Sequence, residues 1–140
     1  MRVTFTRPDL KRSGAYVVFV TDGGKLSASA NQVDKATKGS LKRALKSSRF
    51  KGSEGQALAV LGPAGVNANQ ILLLGIGTPD KIDYLAVQSL GGAIFHSLGA
   101  SGAKLASVFV DAIKGVKMSK AEFAANLAYG CHLRSYRLVK

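Results

Sequence analysis

Two histidines, one cysteine and eight carboxylates are the side chains of this 140-residue protein best suited to catalysis or metal binding. His96 falls inside a helical pattern, and His132 directly follows Cys131. One thiol and two imidazoles without HxxxH or CxxC spacing make a poor zinc set. Adjacent residues on a helix point about 100° apart, which argues against Cys131 and His132 as a nucleophile and its base. A buried thiol and an incidental imidazole account for them more simply. The acidic residues are scattered and offer no recognisable pair for acid–base work. Gly75-Ile76-Gly77 has Asp80 where a dinucleotide fingerprint needs its third glycine, and Gly24-Lys25 is followed by Leu26 rather than Ser or Thr. Backbone amides around Gly75, Gly77 and Thr78 remain a candidate anion-binding loop.

Charge is the second source of chemistry. Lysine and arginine outnumber the acids twenty to eight, a formal charge of +12. That imbalance favours polyanionic neighbours: nucleic acid, an anionic membrane surface or an acidic partner. The plain alternative is charge that keeps the domain soluble or is balanced by a partner domain. Residues 32 to 48 read as one amphipathic helix. At about 100° per residue, Lys35, Lys38, Lys42, Lys46 and Arg49 fall within an arc of roughly 80° and form a candidate nucleic-acid-binding face. Val33, Leu41 and Ala44 lie opposite, with Leu45 at the margin. A solvated helix face is the competing reading. Gly39, mid-helix, costs about 1 kcal/mol relative to alanine and suggests a close approach of another backbone.

The elements that must position these residues are legible from pattern. Ile71 to Leu74 is an unbroken apolar run bounded by Gly75, Gly77 and Pro79. Such a run fits a strand covered on both faces at the centre of an α/β sheet, with the following loop as the first place to look for a ligand. Arg2 to Thr6 alternates and suits an edge strand, while 15–20 and 57–61 read as further strands, as does 104–111. A second long helix is expected from Asp80 to about Leu98, with Ile82, Leu85, Ala86, Leu90, Ala93, Ile94 and Leu98 on its apolar stripe. Gly91-Gly92 in its middle points to tight packing on the sheet. Ser119 and Glu122 form a capping box before a last helix carrying Phe123, Leu127, Ala128 and Leu133 on its apolar side. The order β, β, α, β, β, α, β, α implies a three-layer α/β domain: a mixed, mostly parallel sheet with helices on both faces.

The length suits one domain. The lone cysteine excludes an internal disulfide, and Arg7, Asp9, Lys11 and Arg12 interrupt any secretory signal; the longest apolar runs are strand-length, so no membrane span is expected. A reducing, cytoplasmic setting is the default.

Several segments follow one another in the order of a known family: 33–45, Phe50-Lys51-Gly52, Gly55, the 71–77 run and 130–137. Together they resemble the N-terminal domain of the leucyl (cytosol) aminopeptidases over nearly the whole chain. The resemblance implies a macro-domain-like fold over residues 1–134, with 135–140 beginning a linker to a C-terminal catalytic domain not contained in this sequence. In that family the missing domain binds two metal ions, zinc or manganese, through Lys, Asp and Glu ligands and carries an Asn-Thr-Asp-Ala-Glu-Gly-Arg signature. No such residue carries over to this chain, so no catalytic or metal position and no cofactor is assigned to it. The resemblance implies a regulatory and assembly domain whose partners are its own catalytic domain and the sibling subunits of a homo-hexamer. Some bacterial members also bind DNA, which keeps the basic face in view. ADP-ribose binding is suggested by fold analogy alone, and no binding is expected.

Overall fold

The computed structural model describes residues 1–139, with side chains through Arg134. In chain order the strands are β1 (Arg2–Thr6), β2 (Ala15–Thr21), β3 (Lys25–Leu26), β4 (Ala57–Leu61), β5 (Gln70–Gly77) and β6 (Leu105–Phe109). The helices are α1 (Ala28–Ala36), α2 (Ser40–Lys46), α3 (Tyr84–Ala100) and α4 (Lys120–Val139), with a single 3-10 turn at Pro79–Lys81. The sheet runs β1-β6-β2-β5-β4, with β3 paired to β2. The pairs β1–β6, β6–β2 and β2–β5 are parallel, whereas β4–β5 and β2–β3 are antiparallel. This is the mixed, mostly parallel sheet expected from the element order.

All eight residues of β5 are buried, which explains why its sequence shows no polar alternation. The middle of the sheet, however, is β2, not β5: β5 lies one strand from the β4 edge. Alternate side chains of these two strands enter separate cores. Val17, Phe19, Leu72 and Leu74 pack with Leu90, Ile94, Phe123 and Leu127 of α3 and α4. Tyr16, Val18, Ile71 and Leu73 pack with Ala30, Val33 and Leu41 of α1 and α2. Each fully buried Leu, Ile or Phe contributes about 1.5–3 kcal/mol, so both helical layers are held by the sheet. Edge-to-face contact of Phe19 with Phe123, at 5.5 Å, ties β2 to α4.

The helix expected over 32–48 is two helices. α1 begins earlier, behind Ser27, whose hydroxyl accepts from the Ala30 amide. It ends in a Schellman motif: Gly39 N–H donates to the Asp34 carbonyl at 2.8 Å and Lys38 N–H to the Lys35 carbonyl at 3.2 Å. Lys38 and Gly39 take φ of 55° and 85°, the left-handed conformation that stops the helix. Gly39 is therefore there for its backbone angle, not for a close approach. Buried Asp34 then starts α2 by accepting from the Lys42 amide at 3.0 Å.

Smaller differences have equally local causes. Gly23 and Gly24, both at positive φ, fold the chain after β2 back into the short strand β3. α3 starts at Tyr84, not Asp80, because Asp83 caps it by accepting from the Ala86 amide at 2.8 Å. Leu85, placed on the apolar stripe by spacing, is 72% exposed, and Val87 is buried instead. The capping box of α4 is present: Ser119 N–H donates to Glu122 at 2.9 Å and Glu122 N–H to the Ser119 hydroxyl at 3.0 Å. Leu133 is exposed rather than buried. The linker expected from residue 135 falls within the range of α4; its side chains, and Lys140 altogether, lie outside the described residues.

Candidate functional site

Parallel strands open a crevice at their carboxyl ends, and here it lies beyond β2, β5 and β6. A cavity of about 330 Å³ occupies it, walled by Thr21, Lys25, Ser27, Pro79, Ile113 and Lys114. The amino end of α1 borders this space, and in principle it suits an anion. A carboxylate of the chain already sits there. Asp111, just past β6, accepts from the Ser29 amide at 3.0 Å and from the Ser29 hydroxyl. At this end the Ser29 amide is thus met by an internal anion and the Ala30 amide by the Ser27 hydroxyl.

The glycines expected to form an anion loop belong to β5 and its end. Gly75 N–H donates to the Gln56 carbonyl and Gly77 N–H to the Gly52 carbonyl, each at 2.8 Å. A side chain at Gly75 would strike the Ser53 carbonyl oxygen at 2.2 Å. These glycines let the 52–56 loop lie against β5, and their amides are engaged by it. Thr78 is exposed but its hydroxyl caps nothing in the turn that follows.

The basic residues are all at the surface: Lys35, Lys38, Lys42, Lys46 and Arg49 are exposed, and so is Arg43. They do not form one 80° arc, because the break at Lys38 and Gly39 puts Lys35 on α1 and Lys42 and Lys46 on α2. Arg43 reaches back to the Lys38 carbonyl at 2.6 Å, which draws its charge to the junction of the two helices.

Titratable groups form no catalytic constellation among the described residues. Cys131 is buried, and burial pushes its thiol above the ordinary range, away from the reactive thiolate. His96 Nδ1 lies 3.1 Å from an Arg134 guanidinium nitrogen, which makes Nδ1 the acceptor. Asp80 and Asp83 stand three apart, yet Asp83 caps α3 and Asp80 belongs to the preceding turn. Among the described residues no three His, Cys, Asp or Glu gather as a metal site, and no helix is long and apolar enough to cross a membrane.

On the outer face of α3 and α4, Leu85, Gln88, Ala93, His96, Leu133 and Arg134 border an open groove of about 680 Å³. Nearby Tyr84 and Tyr129 are each about half exposed. The helices meet closely beneath it. A Cβ on Gly91 would lie 2.1 Å from the Leu127 carbonyl oxygen, and one on Gly130 would lie 1.8 Å from that of Gln88. Gly91 and Gly130 thus let α3 pack on α4, not on the sheet, while a Cβ at Gly92 would meet only ordinary contacts. Asp111 and Ser29 were missed because Ser27 and Ser29 precede the periodic stretch. A Ser ahead of small helix formers was the available signal.

The sequence model described as "Cytosol aminopeptidase family, N-terminal domain" matches residues 17–140. A probable cytosol aminopeptidase of Rhodopseudomonas palustris is 35% identical over 124 residues, covering 89% of this chain and 24% of the relative. One of Caulobacter vibrioides is 30% identical over 142 residues, covering 100% of this chain and 27% of the relative. The chain thus spans about a quarter of the length of these relatives. Among solved structures, a tomato leucine aminopeptidase mutant superposes with a TM-score of 0.74 at 20% identity, over 96% of this chain and 28% of the other. The macrodomain of Mycobacterium tuberculosis DarG gives 0.69 at 12% identity, over 94% of this chain and 90% of the other. At those identities the structures speak for the fold alone, which is macro-domain-like.

Proposed function

The chain belongs to the cytosol aminopeptidase family as its N-terminal domain, and from that premise we propose that it is a non-catalytic regulatory and assembly domain. The bond-breaking chemistry of such a protein, release of N-terminal amino acids with two zinc or manganese ions, would reside in a catalytic domain outside these residues. The observation that carries this reading is the family match over 17–140 in a chain spanning only a quarter of its relatives. The exposed apolar residues Leu85, Leu133, Tyr84 and Tyr129 support it, since a domain built to dock on its own catalytic domain or a sibling subunit presents such a surface. A cytoplasmic setting agrees with the single free thiol. The purified 140-residue protein should show no turnover of leucyl-anilide substrates with zinc or manganese added. Robust hydrolysis would overturn the proposal.

A second reading, nucleic-acid binding, is favoured by the +12 charge and the exposure of Lys35, Lys38, Lys42, Lys46 and Arg49. Were all five to meet phosphates, log K would fall with log salt at a slope near −4.5, from about −0.9 per contact. A flat salt dependence, or binding unchanged by Lys42→Glu with Lys46→Glu, would remove this surface from consideration. ADP-ribose is not expected to bind in the crevice at the carboxyl ends of the strands. Asp111 already holds the amino end of α1, and an incoming diphosphate would face its charge.

A further inference from the structure

At the opposite end of the sheet, β1 alternates Arg2 and Thr4 with Val3 and Phe5. Val3 and Phe5 pack toward the α3 and α4 core, so Arg2 and Thr4 occupy the other face. Ser107 of β6 stands beside Thr4 in register, and Leu105 beside Arg2. Over this polar corner lies the loop joining β1 to β2. Between loop and strands is a cavity of about 400 Å³, walled chiefly by Arg2, Thr4, Lys11, Arg12, Ser13 and Ser107.

Arg12 is held at both ends. Its Nε donates to the Ser107 hydroxyl at 2.7 Å, and its carbonyl accepts from the Tyr16 hydroxyl at 2.7 Å. Ser107 is 2% exposed and Tyr16 is fully buried, so both anchors are rigid. The loop's own carboxylate, Asp9, accepts from the Lys11 amide at 3.1 Å and is not part of the wall. Among the described residues, no acid lines this cavity. Three cations beside three hydroxyls, with no carboxylate in the wall, concentrate positive charge where an anion can join them. A guanidinium fork, an ammonium and hydroxyls are together the donor set that oxyanions of phosphorus use. No aromatic ring lines the wall to stack a base, so charge and size are what the cavity can read.

We propose that the cavity formed by Arg2, Lys11, Arg12 and Ser107 binds a compact polyanion of the diphosphate class. The group can arrive free or carried by a nucleoside, and the test separates these sources. The full 140-residue protein is titrated with inorganic pyrophosphate, and separately with ADP, at ionic strength held constant with sodium chloride. Thermal melting and backbone amide shifts are recorded. Pyrophosphate should raise the melting temperature and shift the amides of Thr4, Lys11, Arg12, Ser13 and Ser107, with chloride doing neither. ADP should bind no more tightly than pyrophosphate; tighter binding would place recognition on the base and overturn the assignment. Lys11→Ala and Arg2→Ala, both at exposed positions, should leave basal melting unchanged. Each should weaken pyrophosphate binding by roughly tenfold, the loss expected from one charge-assisted hydrogen bond. Lys42→Ala with Lys46→Ala should leave binding intact. Sensitivity to that pair instead of to Lys11 and Arg2 would show only diffuse attraction to a basic surface and would refute the site.

Discussion

Gly91 and Gly92 are neighbours on α3, yet alanine at each should affect stability differently. At Gly91 the new Cβ would stand 2.1 Å from the Leu127 carbonyl oxygen and 2.9 Å from the Cys131 nitrogen. Both are backbone atoms of α4, so no side chain can swing away and the helices must separate by about an ångström. Overpacking of this kind costs typically 1–3 kcal/mol. It also loosens Phe123 and Leu127, which close the core over Phe19. At Gly92 the nearest atom, the Gly130 carbonyl oxygen, is 3.8 Å away, an ordinary contact. Gly92→Ala should therefore realise the helix-propensity gain of about 1 kcal/mol. The propensity gain applies at both sites, so the variants should differ by the overpacking alone, roughly 1–3 kcal/mol, and Gly91→Ala falls below the parent once that cost exceeds about 1 kcal/mol. Urea unfolding followed by far-UV circular dichroism would read this as a lower midpoint for Gly91→Ala than for Gly92→Ala at constant slope. Equal stability of the two variants would refute the close helix contact and the packing argument built on it.

Other expectations follow from single contacts. Asp34→Ala leaves the Lys42 amide without its acceptor in a buried turn and should destabilise by about 1–3 kcal/mol, measured by the same unfolding. Asp111→Ala should lower stability by about 1–2 kcal/mol, because it frees the Ser29 amide at the amino end of α1; an unchanged midpoint would deny that contact any weight. The Ser119 amide, then the Tyr84 hydroxyl, hold the Glu122 carboxyl below its ordinary range, and that carboxylate holds the Tyr84 phenol above its own. Because the folded value for Glu122 is depressed, this box's contribution is complete above the ordinary glutamate range and is lost as pH falls through the lowered midpoint. A carboxyl NMR titration should show the low midpoint, and Tyr84→Phe should move it upward. Leu85→Glu with Leu133→Glu should leave this domain folded but reduce the oligomeric mass of a full-length protein containing it; an unchanged mass would separate the α3/α4 groove from assembly.

Much of this protein is determined within short stretches of sequence. Ile71 to Leu74 reads as a doubly covered strand because an uninterrupted apolar run has no solvent face, and Ser119 with Glu122 reads as a helix start because the caps are three residues apart. The spacings of His, Cys and the carboxylates likewise match none of the catalytic motifs sought in them. Tertiary structure decided the rest. Helical periodicity over 32–48 is continuous on paper, but Lys38 and Gly39 turn left-handed once the Schellman bonds and Asp34 take the backbone, so the basic residues divide between two helices. Gly75 and Gly77 look like a ligand loop until the 52–56 segment, about twenty residues away in sequence, claims their amides. The polar alternation of β1 is visible in isolation, yet only pairing with β6 and the fold of the 7–14 loop bring Arg2, Lys11, Arg12 and Ser107 to one cavity. Local pattern follows from hydrogen bonds a few residues long. Strand order and the partners of a glycine or a charge depend on segments that meet only when the sheet closes.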